Sequence, residues 1–166
     1  PPSLHLKTRL ALLYFSVGES ANAVRFADRV VEADPQEAAV LAQMASIYAS
    51  AGQTDKALAL YARAIERNPG DGELYFWKGL LLINAKRLDD AERTLQQGIE
   101  RSKDSPVGHY YLGRVYAESK RFDLAIASYE QAISVNPAFE PGYLALASVY
   151  ESQQERDKAA DVYRRY

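Results

Sequence analysis

Ala57-Leu58-Ala59-Leu60-Tyr61-Ala62-Arg63-Ala64-Ile65, running on into Glu66-Arg67-Asn68-Pro69, is the stretch that decides the fold. Apolar residues at 57, 60, 61, 64 and 65 follow the i, i+3, i+4, i+7, i+8 stripe of a helix with one buried face. Arg63, Glu66 and Arg67 fall on the opposite, wet side. Pro69 stops the helix, because proline offers no N–H to the ladder and holds the residue before it extended.

Outward from Pro69 the same punctuation returns. Asp34-Pro35 lies 34 residues upstream, and Asn136-Pro137 lies 68 downstream. On this period, Ala23, Ala57, Ala91, Ala125 and Ala159 share one column. Ala11, Ala45, Gly79, Gly113 and Ala147 form a second, small column, and Tyr14, Tyr48, Leu82, Tyr116 and Tyr150 a third. Ala27, Tyr61, Leu95, Tyr129 and Tyr163 make a fourth. Each unit reads as two helices. The small and tyrosine columns lie three residues apart, on one face of the first helix. Gly18 and Gly52 punctuate the turn, where a helix end takes a left-handed residue. The second helix starts near the alanine column, and small side chains let the two helices approach closely. The third unit departs most, with Lys86 at the turn-glycine position and Lys103 at the proline position. Ser105-Pro106 is expected to cap the next helix instead.

Composition fits a globular chain. Of 166 residues, 48% are hydrophobic, and 20 basic against 22 acidic residues leave a net charge of -2, without the basic excess of a nucleic-acid binder. No cysteine is present, which rules out disulfides and thiolate metal sites and suits a cytoplasmic or a bacterial periplasmic location equally. No apolar run is long enough for direct membrane insertion. The opening Pro1-Pro2-Ser3 does not read as a signal peptide.

The pattern resembles the tetratricopeptide repeat, a 34-residue helix-turn-helix with a small residue, an aromatic, an alanine and a closing proline. The resemblance covers residues 4–37, 38–71, 72–105, 106–139 and a partial fifth unit, 140–166. It implies an all-α, right-handed superhelical solenoid of about five repeats in a single domain 1–166. Because the last unit stops within its second helix without a polar cap, the sequence reads as a piece of a longer protein, or one that covers that end with another copy.

Catalysis needs convergent titratable groups. The two histidines, His5 and His109, fall three repeats apart, and His109 shares a packing column with Tyr75 and Tyr143. Asp89-Asp90 opens a helix, where acidic residues suit the dipole. There is no phosphate loop or metal-ligand spacing. No catalytic, metal or cofactor site is expected, and no enzyme activity.

The resemblance further implies that the first helices line a concave groove with positions 2, 5, 6, 9, 12 and 13 of each unit. In the third unit these include Phe76, Trp77, Leu80, Ile83 and Asn84, and in the fourth Tyr110, Tyr111, Arg114 and Glu118. Aromatic residues and arginine are the types enriched where binding energy concentrates. Of 12 tyrosines, only Tyr110 and Tyr111 lie outside the packing columns and the C-terminal end. The competing reading is that these aromatics merely pack first helices together. Chaperone-tail binders of the family carry a Lys/Asn/Arg clamp; the matching positions here are Thr8, Leu12, Gln43, Glu73 and Trp77, so the clamp is absent. Sugar-transferring members carry an asparagine ladder, and here Arg9, Gln43, Trp77, Tyr111 and Ala145 stand in its place. The expected function is a scaffold or adaptor that takes a partner's helix or extended apolar segment, another protein or peptide. Two alternatives stand beside it. One is a regulatory or recruiting arm of a larger enzyme or a bacterial envelope-secretion assembly; the other is a self-association module joined through Val162, Tyr163 and Tyr166.

Overall fold

The computed structural model describes residues 3–166; Pro1 and Pro2, read above for a leader, lie outside the described residues. These residues form ten helices and no strand: α1 (Leu4–Ser16), α2 (Ser20–Val31), α3 (Ala38–Ser50), α4 (Thr54–Arg67), α5 (Gly72–Asn84), α6 (Leu88–Arg101), α7 (Pro106–Glu118), α8 (Phe122–Val135), α9 (Glu140–Ser152) and α10 (Arg156–Arg165). The all-α architecture of five helix-turn-helix repeats follows the sequence period. The chain divides into two compact units, residues 1–81 and 82–166, with the division inside α5.

In the first unit α1 packs on α2, α2 on α3 and α3 on α4. In the second, α6 packs on α7, α7 on α8, α8 on α9 and α9 on α10, and α7 also touches α9. The repeat columns explain these contacts. Ala23, Ala57, Ala91 and Ala125 are wholly buried, as are Ala11, Ala45 and Ala147. Tyr48, Tyr61, Tyr116 and Tyr129 are buried rings that fill the space the small residues leave. In the first unit the Tyr48 hydroxyl donates to Asp28 Oδ1 at 2.6 Å; in the second, that of Tyr116 donates to Glu92 Oε1 at 3.0 Å. Each thus ties a first helix to the second helix of the preceding repeat, and a buried hydroxyl needs such an acceptor. Burial followed by the neighbouring carboxylate pushes both phenols above their ordinary pKa.

The turns inside the five repeats share one backbone form. Gly18, Gly52, Lys86, Lys120 and Gln154 all have positive φ, between 58° and 78°. At each turn the next residue donates its N–H to the carbonyl of the tyrosine column: Glu19 to Tyr14, Gln53 to Tyr48, Arg87 to Leu82, Arg121 to Tyr116 and Glu155 to Tyr150. This is the Schellman closure of a helix end. The turn glycine is therefore a position that the fold keeps left-handed whichever residue stands there.

Two local expectations are corrected. Asp34, before Pro35, is left-handed at φ 49° rather than extended. Aspartate tolerates that region, and Asp34 Oδ1 also accepts from Arg63 at 2.5 Å. Ser105 stands at the N-cap of α7 with Pro106 in the first turn, but its side chain makes no capping bond.

Candidate partner-binding surface

The expected site residues divide between the two units. In the first, α5 carries Leu74, Tyr75 and Phe76 into the interior, where Phe76 has no exposed surface. Phe76 is thus a core residue and not part of an open wall, and Ile83, in the second unit, is equally inaccessible. Trp77, the next residue along, is 48% exposed, and Leu80 is half-buried. Tyr75 donates from its hydroxyl to the Pro69 carbonyl at 3.2 Å. The chain before α5 is thereby fixed relative to the helix that presents Trp77.

In the second unit Asn84 is exposed at the end of α5, and α7 supplies the rest. Tyr110 and Tyr111 are half-buried, with ring centroids 5.4 Å apart. Tyr110 also meets Tyr129 at 5.9 Å and Phe139 edge-on at 5.7 Å, so its ring is held on three sides. Such tilted and edge-on pairs suit the aromatic quadrupole. Tyr110 therefore packs against α8 and the N-cap of α9. Tyr129 is buried, and burial, more than the nearby Tyr110, raises its phenol above the ordinary range.

Arg114 lies one turn beyond Tyr110, with its guanidinium carbon 5.9 Å from the Tyr111 ring centroid. It approaches Glu118 only to 4.0 Å, whereas Lys86 holds Glu118 at 2.7 Å. Lys86 so neutralises Glu118 and leaves the Arg114 donors, 30% exposed beside an aromatic face, only loosely engaged. A guanidinium in that setting can take a carboxylate or a backbone carbonyl.

Sequence reasoning missed two members of this neighbourhood and one further exposed side chain. Phe139 closes over Tyr110 from the N-cap of α9. Lys86 had been noted only as a missing glycine. Leu144, 52% exposed on α9, sits in the same repeat column as Phe76 and Tyr110, a signal that was there to be read. His109 is half-buried on α7, and burial lowers its pKa. At the C-terminal end Val162 is buried, contrary to its expected place on an open face, while Tyr163 and Tyr166 are 47% and 63% exposed. No helix among the described residues is long and apolar enough to cross a membrane.

The fold and this surface define a helical-repeat interaction scaffold. Tetratricopeptide repeat models match residues 4–37, 48–114, 106–139 and 143–165, and the chain belongs to the tetratricopeptide repeat family. No curated protein sequence matches it. Among solved structures it is similar to MamA of Desulfovibrio magneticus RS-1, with a TM-score of 0.81 and 17% identity over 97% of this chain and 91% of that one. It is also similar to PilF of Pseudomonas aeruginosa, with a TM-score of 0.79 and 20% identity over 98% of this chain and 74% of that one. A third is YrrB, described as a tetratricopeptide repeat protein with an unusual peptide-binding site. Its TM-score is 0.70, with 19% identity over 96% of this chain and 82% of that one. At these identities the likeness speaks to fold alone.

Proposed function

We propose that the chain binds a helix or an extended apolar segment of a partner protein through first-helix side chains in each of its two units. Trp77 of the first unit, and Tyr111 with Arg114 of the second, act as anchors. The observation that carries this reading is Trp77. It is the chain's single tryptophan, and it stands 48% exposed directly after three buried residues of the same helix. An indole left in water beside a well-packed core is the kind of side chain that binding sites exploit. Tyr111 and Arg114 supply an aromatic face and a loosely engaged guanidinium, which suit an apolar residue flanked by an acidic group or a free carbonyl. Peptide binding by the structurally similar YrrB is consistent with this assignment.

The test is a pull-down from source-cell lysate with wild type beside the double variant Trp77→Ala, Tyr111→Ala, with circular dichroism confirming that both fold. The reading requires a partner captured by wild type and lost by the variant. Retention of that partner by the variant would assign these aromatics to packing alone.

A further inference from the structure

The first unit also carries a cavity formed by residues of α2, α3 and α4. Its volume is about 570 Å³, and it is lined by Asp28, Val31, Glu32, Tyr48, Lys56, Ala59, Leu60 and Arg63. That is within the size range of ligand-binding clefts. Val31, Ala59 and Leu60 give it apolar walls, and the buried Tyr48 ring stands at its edge.

Its charges are unequally committed. Lys56 Nζ lies 3.3 Å from Asp28 Oδ1 and 4.9 Å from the Tyr48 ring centroid. Arg63 is held by Asp34 at 2.5 Å. Both cations of the lining are thus engaged within the chain. Glu32 has no ion-pair partner among the described residues, and it stands four residues after Asp28, on the same face of α2. Both carboxylates lie at the C-terminal end of α2, where the helix dipole adds negative potential. Asp28 is taken up by Lys56 and the Tyr48 hydroxyl, so Glu32 is the lining carboxylate left for a ligand, beside the apolar side chains. Lys56 already shows how a cation settles between a carboxylate and the Tyr48 face.

We propose that this cavity receives an arginine or lysine side chain of a partner polypeptide. The aliphatic stem lies along Val31, Ala59 and Leu60, and the charged head pairs with Glu32. Arginine and lysine bury their stems in this way while the head stays polar. The site shares no residue with the first-helix anchors, so its failure would leave that reading untouched.

The probe is N-acetyl-arginine amide, titrated into the isotope-labelled chain and followed by amide chemical shifts. Saturable shifts at Val31, Glu32, Ala59 and Leu60 are expected, with a Kd of about 1–10 mM for so small a fragment. The uncharged citrulline analogue is expected to bind at least about fivefold more weakly, as is arginine itself to Glu32→Gln. Ala59→Leu, which fills an exposed position of the wall, gives the same loss without changing charge. Absent or non-saturating shifts, shifts elsewhere, or equal binding by the citrulline analogue or by Glu32→Gln would overturn the proposal. Free arginine binding about tenfold tighter than the capped probe would overturn the polypeptide assignment in favour of a small metabolite.

Discussion

Gly113 on α7 and Tyr129 on α8 are in register so closely that a Cβ at position 113 would come within 2.5 Å of Tyr129 Cε1 and 2.7 Å of Cδ1. Ala11, Ala45 and Ala147 of that small column accommodate a methyl group; at Gly113 the buried Tyr129 ring occupies that volume. The same ring meets Tyr110, so the packing of the repeat and the placement of the aromatic surface are linked.

Gly113→Ala should therefore destabilise the second unit by about 1–3 kcal/mol through overpacking. In a helix interior without that contact the same change would stabilise by about 0.5–1 kcal/mol. The sign, read from urea denaturation, separates the two. Adding Tyr129→Leu should cancel part of the cost of Gly113→Ala, since the ring is the obstacle.

The turn column predicts gains. Lys120 and Gln154 occupy φ of 58° and 64°, where a side chain costs about 1 kcal/mol and glycine nothing. Lys120→Gly and Gln154→Gly are each expected to raise stability by about 0.5–1 kcal/mol, and Gly52→Ala to lower it by a similar amount. Thermal denaturation measures all three. A loss on Lys120→Gly would show that the turn is not limited by its left-handed residue.

Adjacent residues on α5 should behave in opposite ways. Phe76→Ala removes a wholly buried ring and should cost about 3–5 kcal/mol. Trp77→Ala, with the indole half in water, should cost less than about 1 kcal/mol. Comparable costs would mean that Trp77 is a packing residue, which would remove the main support for the proposed function.

His109 sets a pH response. Burial holds its folded pKa below the ordinary value of about 6.5, so as pH falls the unfolded chain takes up the proton first. Stability from this group is thus complete above about pH 6.5 and declines as pH drops toward the folded pKa. His109→Tyr, the residue found at the equivalent positions 75 and 143, should flatten the difference in melting temperature between about pH 7.5 and about pH 5.5. An unchanged slope would assign that dependence to other groups.

The fold was legible because its signals are redundant. The alanine, small and tyrosine columns each mark the same 34-residue register, and any one of them could fail without losing it. Lys86 looked like a break in the pattern, yet the Arg87-to-Leu82 hydrogen bond imposes the same turn there as at Gly18 and Gly52. The surface was less legible. Helical periodicity turns Phe76 and Trp77 about 100° apart and sets Phe76 one turn before the small column at Gly79, a sign of burial that the groove positions implied by the resemblance ran against. Tyr110 likewise looked unexplained by any column, because the partners that hold it, Tyr129 and Phe139, come from other helices. Arg114 could be singled out as a charge, but its loose engagement depends on Lys86 capturing Glu118 across the second unit.

The central claim is that first-helix aromatics contact a partner. It is tested most directly by placing a photo-crosslinking phenylalanine analogue at position 77, at position 111 and, as a control, at Gln131, an exposed residue of the second helix α8. After irradiation in source cells, the account predicts that positions 77 and 111 yield the same protein adduct and that position 131 does not. An adduct formed equally from position 131, or formed from it alone, would contradict the account and move the binding surface to the second helices.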